Sequence, residues 1–490
     1  TDNDGVPNNE DWGFGAHDIK VIDVPNDQGG RVLITFEKSF YDTDSLRAQE
    51  SYTIQRNDGY YWTSLISLAA YGDSIYYSEV TTLQDSSSAN DGITEFRVIA
   101  AMEEGNFVNR PDENGVGYSV DNILPTAPTA FNAIGTTSNG AQIHLSWDYT
   151  QDIDFAYHQT NSIYSPYFST ENNISIDLSR VYDEFYVNSV DINGNLSEPT
   201  LEYASAHNFT GNIELVSFSV LPENTSVENI FPNEGVAMYI ISEGSATSNL
   251  VVDLGGNEYW GWFGSLTNIE PNRGYWIISE EDYVLVTKGE KHIVTEFELN
   301  NPANLLSYTC PNMGRIEDLI TNDCIEGIIG TGSAQYYIDG IGWVGSLDML
   351  HSGMGYWFIA GCETILSYEC PENDETLSRT DIQYKEAKEY AQSSEQAFYF
   401  IKDIEEVNIG DRIEVYNDDV LVGSTDWTGP YTEVPAMGFD SQLSTLNYCK
   451  IGSLPLFKLI KPNGESFDLE GKIPAWSSNG LFIIDNMSTK

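Results

Sequence analysis

Basic residues are scarce in this chain. The 490 residues include 22 Lys and Arg against 75 Asp and Glu, so the formal net charge is −53. Nucleic acids and anionic membranes are bound through Lys and Arg, and the composition therefore excludes both classes of partner. A surface this rich in carboxylates stays hydrated in a salty medium and in the presence of divalent cations.

Long apolar runs are also absent from the sequence. No stretch approaches the roughly 20 apolar residues that a membrane-spanning helix needs. No signal peptide is present, although a mature secreted chain would have lost one. We therefore expect no membrane insertion. Hydrophobic residues make up 41% of the chain, which is enough for several packed cores.

Cysteines are few and clustered. Of the five, Cys310, Cys324, Cys362 and Cys370 fall within about 60 residues, and Cys449 stands alone near the C-terminus. The paired Cys-x-x-Cys spacing of a structural zinc site is missing. The four clustered cysteines therefore predict two disulfides and an oxidising compartment, with three possible pairings. For Cys449 we expect a buried structural thiol.

Signatures of catalysis are missing as well. The six histidines are far apart, and none forms a metal-binding His-x-x-x-His pair. Neither a Gly-x-Ser-x-Gly elbow nor a phosphate-binding Gly-x-x-x-x-Gly-Lys loop occurs. We predict that the chain is not an enzyme. A hydrolase with a carboxylate pair stays open as an alternative, because carboxylates are too numerous to exclude by counting.

A duplicated motif dominates the second half of the chain. Gly-Ser-Leu at residues 264–266 precedes Gly-Tyr-Trp at 274–276, and the same pair returns at 345–347 and 355–357 with the same ten-residue offset. The period of roughly 80 to 90 residues is too long for a solenoid unit and suits two tandem small domains. The apolar residues after each Trp predict that Trp276 and Trp357 lie in the core.

Each copy also predicts one helical turn among its strands, near residues 226–231 in the first copy and 315–320 in the second. The copies resemble modules of bacterial surface proteins that begin near a Leu-Ile-Ser motif and end near Gly-Tyr-Trp. The resemblance implies a β fold and says nothing about the ligand.

The first residues match an oxygen-ligand calcium loop. If Gly5 is the turn glycine, the ligand positions fall on Asp2, Asp4, the Val6 carbonyl, Asn8 and Asp11. The stretch resembles the thrombospondin type III calcium repeats, which link domains in secreted proteins, and it implies Ca²⁺ as a cofactor. The first ligand of the loop would precede Thr1, so a complete site needs residues upstream. An acidic tail is the alternative interpretation.

From Phe14 onward, alternating β-branched segments with frequent turns predict antiparallel sandwiches. Phe36 and Trp147 occupy early strands, and a late strand runs into the turn at residues 190–195. On these residues, 14–208 resembles fibronectin type III domains of bacterial secreted proteins. The stretch 410–423 (Gly-Asp-x-Ile, then Val-Gly) resembles β-sandwich modules of similar proteins.

The predicted fold is thus all-β, a series of antiparallel β-sandwiches and small β modules with few helices. The predicted boundaries are 1–13 for the calcium-repeat-like segment, 14–124 and 125–208 for two fibronectin type III-like domains, 209–296 and 297–378 for the two repeat copies, and 379–490 for a linker with a C-terminal β-sandwich.

Together these features predict a non-catalytic extracellular or cell-surface protein, a structural or adhesive scaffold. The expected partners are other copies of the chain or other surface proteins, since exposed sheet edges can pair by strand addition and build a fibre or surface layer. The alternative is a carbohydrate-binding accessory region of a secreted polysaccharide-degrading protein. Its polysaccharide would stack on Trp260, Trp427 or Trp476, so exposed rings would favour this alternative and buried rings the scaffold.

Overall fold

The structure, a computed structural model, describes residues 12–43, 49–87, 90–178, 181–211, 213–231, 237–253, 258–372 and 389–490; the side chains of residues 12 and 252–260 are excepted. Within these ranges the chain forms 39 strands, two four-residue α-helices and three short 3-10 turns. The predicted all-β class is confirmed. Neither α-helix has the length or the apolar run that crossing a membrane requires.

The chain divides into two compact units. The first extends to Pro128 and adds Tyr149–Gln159 and Asn188–Pro199. The second comprises Thr129–Asp148, Thr160–Val187 and Thr200–Lys490. The predicted range 125–208 therefore contributes to both units.

The first predicted domain folds as a two-sheet sandwich in the first unit. Its strands are β1 (His17–Asp23), β2 (Arg31–Glu37), β3 (Ser51–Asn57), β4 (Trp62–Ala69), β5 (Ile75–Thr81), β6 (Thr94–Met102), β7 (Gly105–Val108) and β8 (Gly115–Gly117). One sheet has the order β1-β2-β5, and the other has β4-β3-β6-β7 with β8 on β6. Burial alternates strictly along β6 because one face of this strand packs on the core.

The second predicted domain contributes two further sheets. Its strands are β9 (Asn132–Thr136), β10 (Gln142–Ser146), β11 (Phe155–Ser162), β12 (Tyr167–Ser169), β13 (Asn173–Asp177), β14 (Tyr182–Asp191) and β15 (Tyr203–Thr210). Strands β9, β10 and β13 form one sheet, and β12, β11, β14 and β15 belong to the other. Trp147, which directly follows β10, is 3% exposed in the core between them.

Copy one of the repeat is built on a five-stranded sheet. Its elements are β16 (Ile213–Ser217), β17 (Val220–Leu221), α1 (Val227–Ile230), β18 (Ala237–Ser242), β19 (Ser245–Asp253), β20 (Glu258–Gly264), β21 (Gly274–Ser279) and β22 (Asp282–Lys291). The sheet order is β16-β21-β18-β19-β20.

Copy two repeats that architecture. Its elements are β23 (Glu296–Leu299), β24 (Ala303–Ser307), β25 (Gly314–Arg315), α2 (Ile316–Leu319), β26 (Ile325–Gly330), β27 (Ser333–Ile338), β28 (Gly342–Gly345), β29 (Met349–Leu350), β30 (Gly355–Ala360) and β31 (Thr364–Ser367). Its sheet order, β24-β30-β26-β27-β28, matches that of copy one strand for strand. The two predicted helical turns are confirmed as α1 and α2.

The C-terminal module is a β-sandwich. Its strands are β32 (Gln396–Ile401), β33 (Arg412–Asn417), β34 (Val420–Asp426), β35 (Thr432–Met437), β36 (Leu456–Ile460), β37 (Ser466–Gly471), β38 (Leu481–Ile484) and β39 (Met487–Thr489). The sheets have the orders β35-β32-β38 and β34-β33-β36-β37-β39. The predicted linker before this module lies outside the described residues as far as residue 388.

A single sheet runs from the second predicted domain into copy one. Strand β15 pairs antiparallel with β22 along eight residues, from Tyr203 opposite Gly289 to Thr210 opposite Asp282. The sheet order is β12-β11-β14-β15-β22-β17. The hydrogen-bonded ladder therefore crosses the predicted boundary at residue 208.

The two copies pack on each other through the strands that contain Gly-Tyr-Trp. Bridges join Val216 to Met354 and Arg273 to Leu306, which are equivalent pairs in the two copies. A Cβ on Gly355 would lie 2.8 Å from the Val216 carbonyl oxygen and 3.0 Å from the Cα of Gly274. Glycine stands at the start of the motif because the two backbones meet there. Trp276 is 1% exposed in this contact, so its predicted burial is confirmed, whereas Trp357 packs against the same cluster and is only half-buried.

Candidate metal centre

Three separate loops of the first unit bring three aspartates together. Asp121 follows β8, Asp154 directly precedes β11, and Asp191 is the last residue of β14. One carboxylate oxygen from each lies within 4.8 Å of the others. Asp121 and Asp191 are buried at 4% and 2% exposure, and Asp154 is half-buried. Three negative charges at this separation repel one another strongly unless a cation or protons neutralise them.

A tight turn fixes the Asp191 carboxylate. Its Oδ1 accepts hydrogen bonds from the backbone N–H groups of Asn193 (2.8 Å) and Asn195 (2.9 Å). Its Oδ2 accepts one from the Asn195 side-chain amide. Gly194 adopts a φ of 90°, which L side chains rarely adopt, and this lets the turn close around the carboxylate.

The same two asparagines connect this turn to Asp121. The Asn193 amide donates to Oδ2 of Asp121 at 2.9 Å, and the Asn195 amide donates to the Asp121 carbonyl at 3.3 Å. Oδ1 of Asp121 accepts the backbone N–H of Ile123. Both carboxylates are therefore held in fixed orientations by donors outside the trio.

Asp154 differs from the other two. Its Oδ1 atom is buried, and among the described residues it has no hydrogen-bond partner. Burial raises the pKa of Asp154, and the charges of Asp121, Asp191 and Asp152 raise it further. A buried carboxylate oxygen without a donor costs free energy unless a cation or proton meets it. The donor set is made of hard carboxylate oxygens, which suits Ca²⁺ or Mg²⁺ and not a soft transition metal.

The neighbouring Asp152 is engaged elsewhere. Its carboxylate accepts the backbone N–H of Thr126 at 2.5 Å and the Thr126 hydroxyl at 3.0 Å. Asp152 thus adds negative charge near the trio without being one of its three members.

The structure describes only some of the residues that the sequence predicted to bind a metal or a sugar. Asp2, Asp4, Asn8 and Asp11 lie outside the described residues, and so does the Trp260 side chain. Trp427 and Trp476 are only 5% and 2% exposed, in the core of the C-terminal module. The Trp476 Nε1 donates to the Ala436 carbonyl at 2.9 Å. Neither of these two buried rings presents a face to a sugar.

The cysteine cluster forms two bridges. Cys310 pairs with Cys370 and Cys324 with Cys362, with Cα atoms 5.4 and 5.5 Å apart. This selects one of the three pairings that the sequence left open. Cys449 is a free, buried thiol whose pKa is raised to about 12 by burial. It is a structural residue, as predicted, and not a nucleophile.

A second buried acidic group lies in the second unit, around Glu184, which is 2% exposed. Its carboxylate accepts hydrogen bonds from the hydroxyls of Tyr182 and Ser219 and pairs with the Lys291 ammonium. These partners stand on β14, on the turn after β16 and on β22. The group links the second predicted domain to copy one, and its carboxylate oxygens are already satisfied by the protein.

The Asp trio was missed at the sequence level. The sequence analysis places residues 190–195 in a turn and assigns no role to Asp121 or Asp154. The available signal was Asp191-x-Asn193-Gly194-Asn195, a run of oxygen-bearing side chains around a turn glycine. That run contains one of the three aspartates only, and the other two approach it solely through folding.

Comparison with known proteins identifies no family. No protein-family model matches the chain, and no curated protein matches it. One similar solved structure is that of the chicken CNTN1 FN1–FN3 domains, 13% identical, covering 56% of this chain and 99% of that chain with a TM-score of 0.18. Another concerns host cell surface retention of a 1.5-MDa bacterial ice-binding adhesin, 10% identical, covering 56% and 96% with a TM-score of 0.17. At these TM-scores neither structure bears on function.

Proposed function

We propose that this chain is a non-catalytic structural or adhesive scaffold of the cell surface or extracellular space. The observation that carries the proposal is the continuous ladder between β15 and β22. Successive modules of the second unit share backbone hydrogen bonds and packed cores, so they hold fixed relative positions. Fixed spacing between modules is what a scaffold requires of its chain.

Two further features support the extracellular placement. Copy two contains two disulfides, which persist in oxidising compartments. The net charge of −53 keeps the surface hydrated and disfavours binding to nucleic acid or anionic lipid.

The test of the scaffold is an electron micrograph of the native material, labelled with an antibody raised against this chain. Labelled regular fibres or a labelled surface coat are expected. The control is the same antibody preincubated with the purified chain, which should abolish the labelling. Unassembled chains that cleave a polysaccharide would overturn the proposal and favour the hydrolase.

We propose in addition that Ca²⁺ is the cofactor of this scaffold and that Asp121, Asp154 and Asp191 hold it. The support is the buried Oδ1 of Asp154, which has no hydrogen-bond partner in the described part of the chain, beside two preoriented carboxylates. Ca²⁺ takes six to eight oxygen ligands at about 2.3–2.6 Å and tolerates irregular geometry. A cation would remove the repulsion between loops that reach this point from three parts of the first unit.

Isothermal titration calorimetry on the whole chain tests this assignment. Asp154→Asn is expected to weaken Ca²⁺ binding by about tenfold or more, since one charge-assisted ligand is lost. Asp152→Asn removes the same charge two residues away and is the matched control, with binding retained. The absence of a calcium heat in the unaltered chain would refute the site.

The N-terminal loop is distinguished in the same experiment. A double variant Asp2→Asn/Asp4→Asn is expected to retain the heat assigned to the trio. If this double variant alone abolished the calcium heat, the ligands would be Asp2, Asp4, Asn8 and Asp11 instead.

A further inference from the structure

One face of the copy-one sheet is partly uncovered. In the register of β19 and β20, Ser248 is opposite Phe263 and Leu250 is opposite Gly261. These four residues share a face with Ala246, because side chains alternate along a strand. Phe263 is 49% exposed and Leu250 is 44% exposed. We call these five residues the open face.

In copy two the equivalent face is covered. Ala334, the counterpart of Ala246, is 0% exposed, whereas Ala246 itself is exposed. The cover consists of side chains from the C-terminal module, which are Phe398, Phe400 and Leu481. This sheet face therefore packs against another β-sheet in copy two, and in copy one it has no such cover among the described residues.

A single substitution explains why the C-terminal module cannot cover copy one in the same way. A Cβ on Gly327 of copy two would lie 2.1 Å from the Leu481 side chain, so Leu481 fits only because the position is glycine. Register places Tyr239 at the equivalent position of copy one, opposite Ser248. A tyrosine side chain at this position would meet Leu481 if the C-terminal module lay on copy one in the same way.

The open face is also uncharged. None of its five residues is ionisable, in a chain with 75 acidic residues. Through Tyr239 and Ile241 it is continuous with the packed contact between the two copies. An uncharged apolar patch continuous with an existing interface is typical of a protein–protein contact.

We propose that the open face is an interface to a second copy of this chain, which docks its own open face there around a two-fold axis. This inference rests on the proposed scaffold function and names how its subunits meet. When two identical uncharged faces meet, no carboxylates are brought together. Two copies of an acidic surface of this chain would instead repel each other electrostatically. Such a contact pairs two chains and closes on itself, so the pair is the unit that other contacts would join into a fibre or coat.

Sedimentation equilibrium of the whole chain across a concentration series tests the proposal. A mass that levels at twice that of the chain is expected. Phe263→Glu places a charge in the contact and is expected to weaken dimerisation about tenfold or more. The matched control is Tyr337→Glu on copy two, whose ring is 46% exposed and outside the open face; this variant should dimerise normally.

Ser248→Cys gives a second test that does not depend on weakened binding. Ser248 lies at the centre of the open face, so two copies of the new thiol approach across the two-fold axis. Mild oxidation is expected to give a covalent dimer, with the unaltered chain as control because its Cys449 is buried.

Two results would overturn the proposal. One is a chain that stays monomeric up to about 100 μM, because even a weak specific dimer would be populated at that concentration. The other is association that Phe263→Glu leaves unchanged while its circular dichroism matches the unaltered chain. Either result leaves the scaffold itself to the micrograph and the calcium site to calorimetry, so the failures are distinguishable.

Discussion

The two copies of the repeat share a sheet order, a motif and a mutual contact, yet their surroundings differ. Copy two has two disulfides and lies under the C-terminal module, whereas copy one has neither. Copy one instead shares its β22 ladder with β15 of the preceding domain. Copy two is thus stabilised by covalent bridges, and copy one by a sheet that continues into the preceding domain.

Individual positions have diverged according to what lies next to them. Gly327 in copy two admits Leu481, and copy one has Tyr239 at the equivalent register position. His351 and Glu270 are also equivalent, since the backbone N–H of each donates to the hydroxyl of its motif tyrosine. The copies share the Gly-Tyr-Trp motif at their mutual contact and differ at these positions that face other neighbours.

The largest expected difference between the copies comes from the disulfides. Replacing Cys310 and Cys370 by serine is expected to destabilise copy two by about 4 kcal/mol, because the bridge closes a loop of 60 residues. Hydrogen exchange is expected to show reduced protection in copy two and unchanged protection in copy one. Equal loss in both copies would contradict their separate stabilisation.

A smaller effect is expected from acid. Burial lowers the pKa of His351 to about 4, below its ordinary value of 6.5, although the charge of Asp348 acts in the opposite direction. The unfolded chain therefore binds the proton more readily. The contribution of His351 to the unfolding free energy is fully present above pH 6.5 and is lost as the pH falls towards 4.

The loss from His351 amounts to no more than about 3 kcal/mol. His351→Gln is expected to flatten the pH dependence of urea unfolding between these values. Glu270→Gln changes the equivalent, exposed position of copy one and should leave the slope as it is. A slope that His351→Gln does not alter would show that other groups cause it.

The smallest effect is expected at the contact between the copies. Gly355→Ala forces a methyl group against the Val216 carbonyl and the Gly274 backbone, which is expected to cost about 1–3 kcal/mol in urea unfolding. Gly261→Ala is the control, since among the described residues its Cβ would meet only the Phe263 ring, at 3.4 Å. Equal stability of both variants would mean that the motif glycine is not required by the contact.

Much of the fold could be predicted because its determinants are local. Alternation along strands such as Arg31–Glu37 and short helical segments such as Val227–Ile230 are visible in a few consecutive residues. The Gly-Tyr-Trp repeat likewise predicted core tryptophans, of which Trp276 is buried and Trp357 is half-buried. The reason for its glycines could not be predicted, because Gly274 and Gly355 are constrained by each other across the fold.

The candidate metal site could not be predicted from the sequence for the same physical reason. Asp121, Asp154 and Asp191 are separated by more than thirty residues each and meet only when three loops of the first unit converge. Composition also obscured them, since 75 acidic residues offer many possible trios. Exposure of Trp427 and Trp476 was equally unpredictable, because burial of a Trp depends on the strands that fold over it.

The continued ladder between β15 and β22 bears on how such a chain can evolve. Modules are readily exchanged by recombination when their borders are short linkers without hydrogen bonds to either side. Here, a transfer that began at residue 209 would take β22 with only the last two residues of β15 and leave six residues of β22 without their partners. An unpaired strand edge of that length invites aggregation. The second predicted domain and copy one are therefore expected to be inherited together.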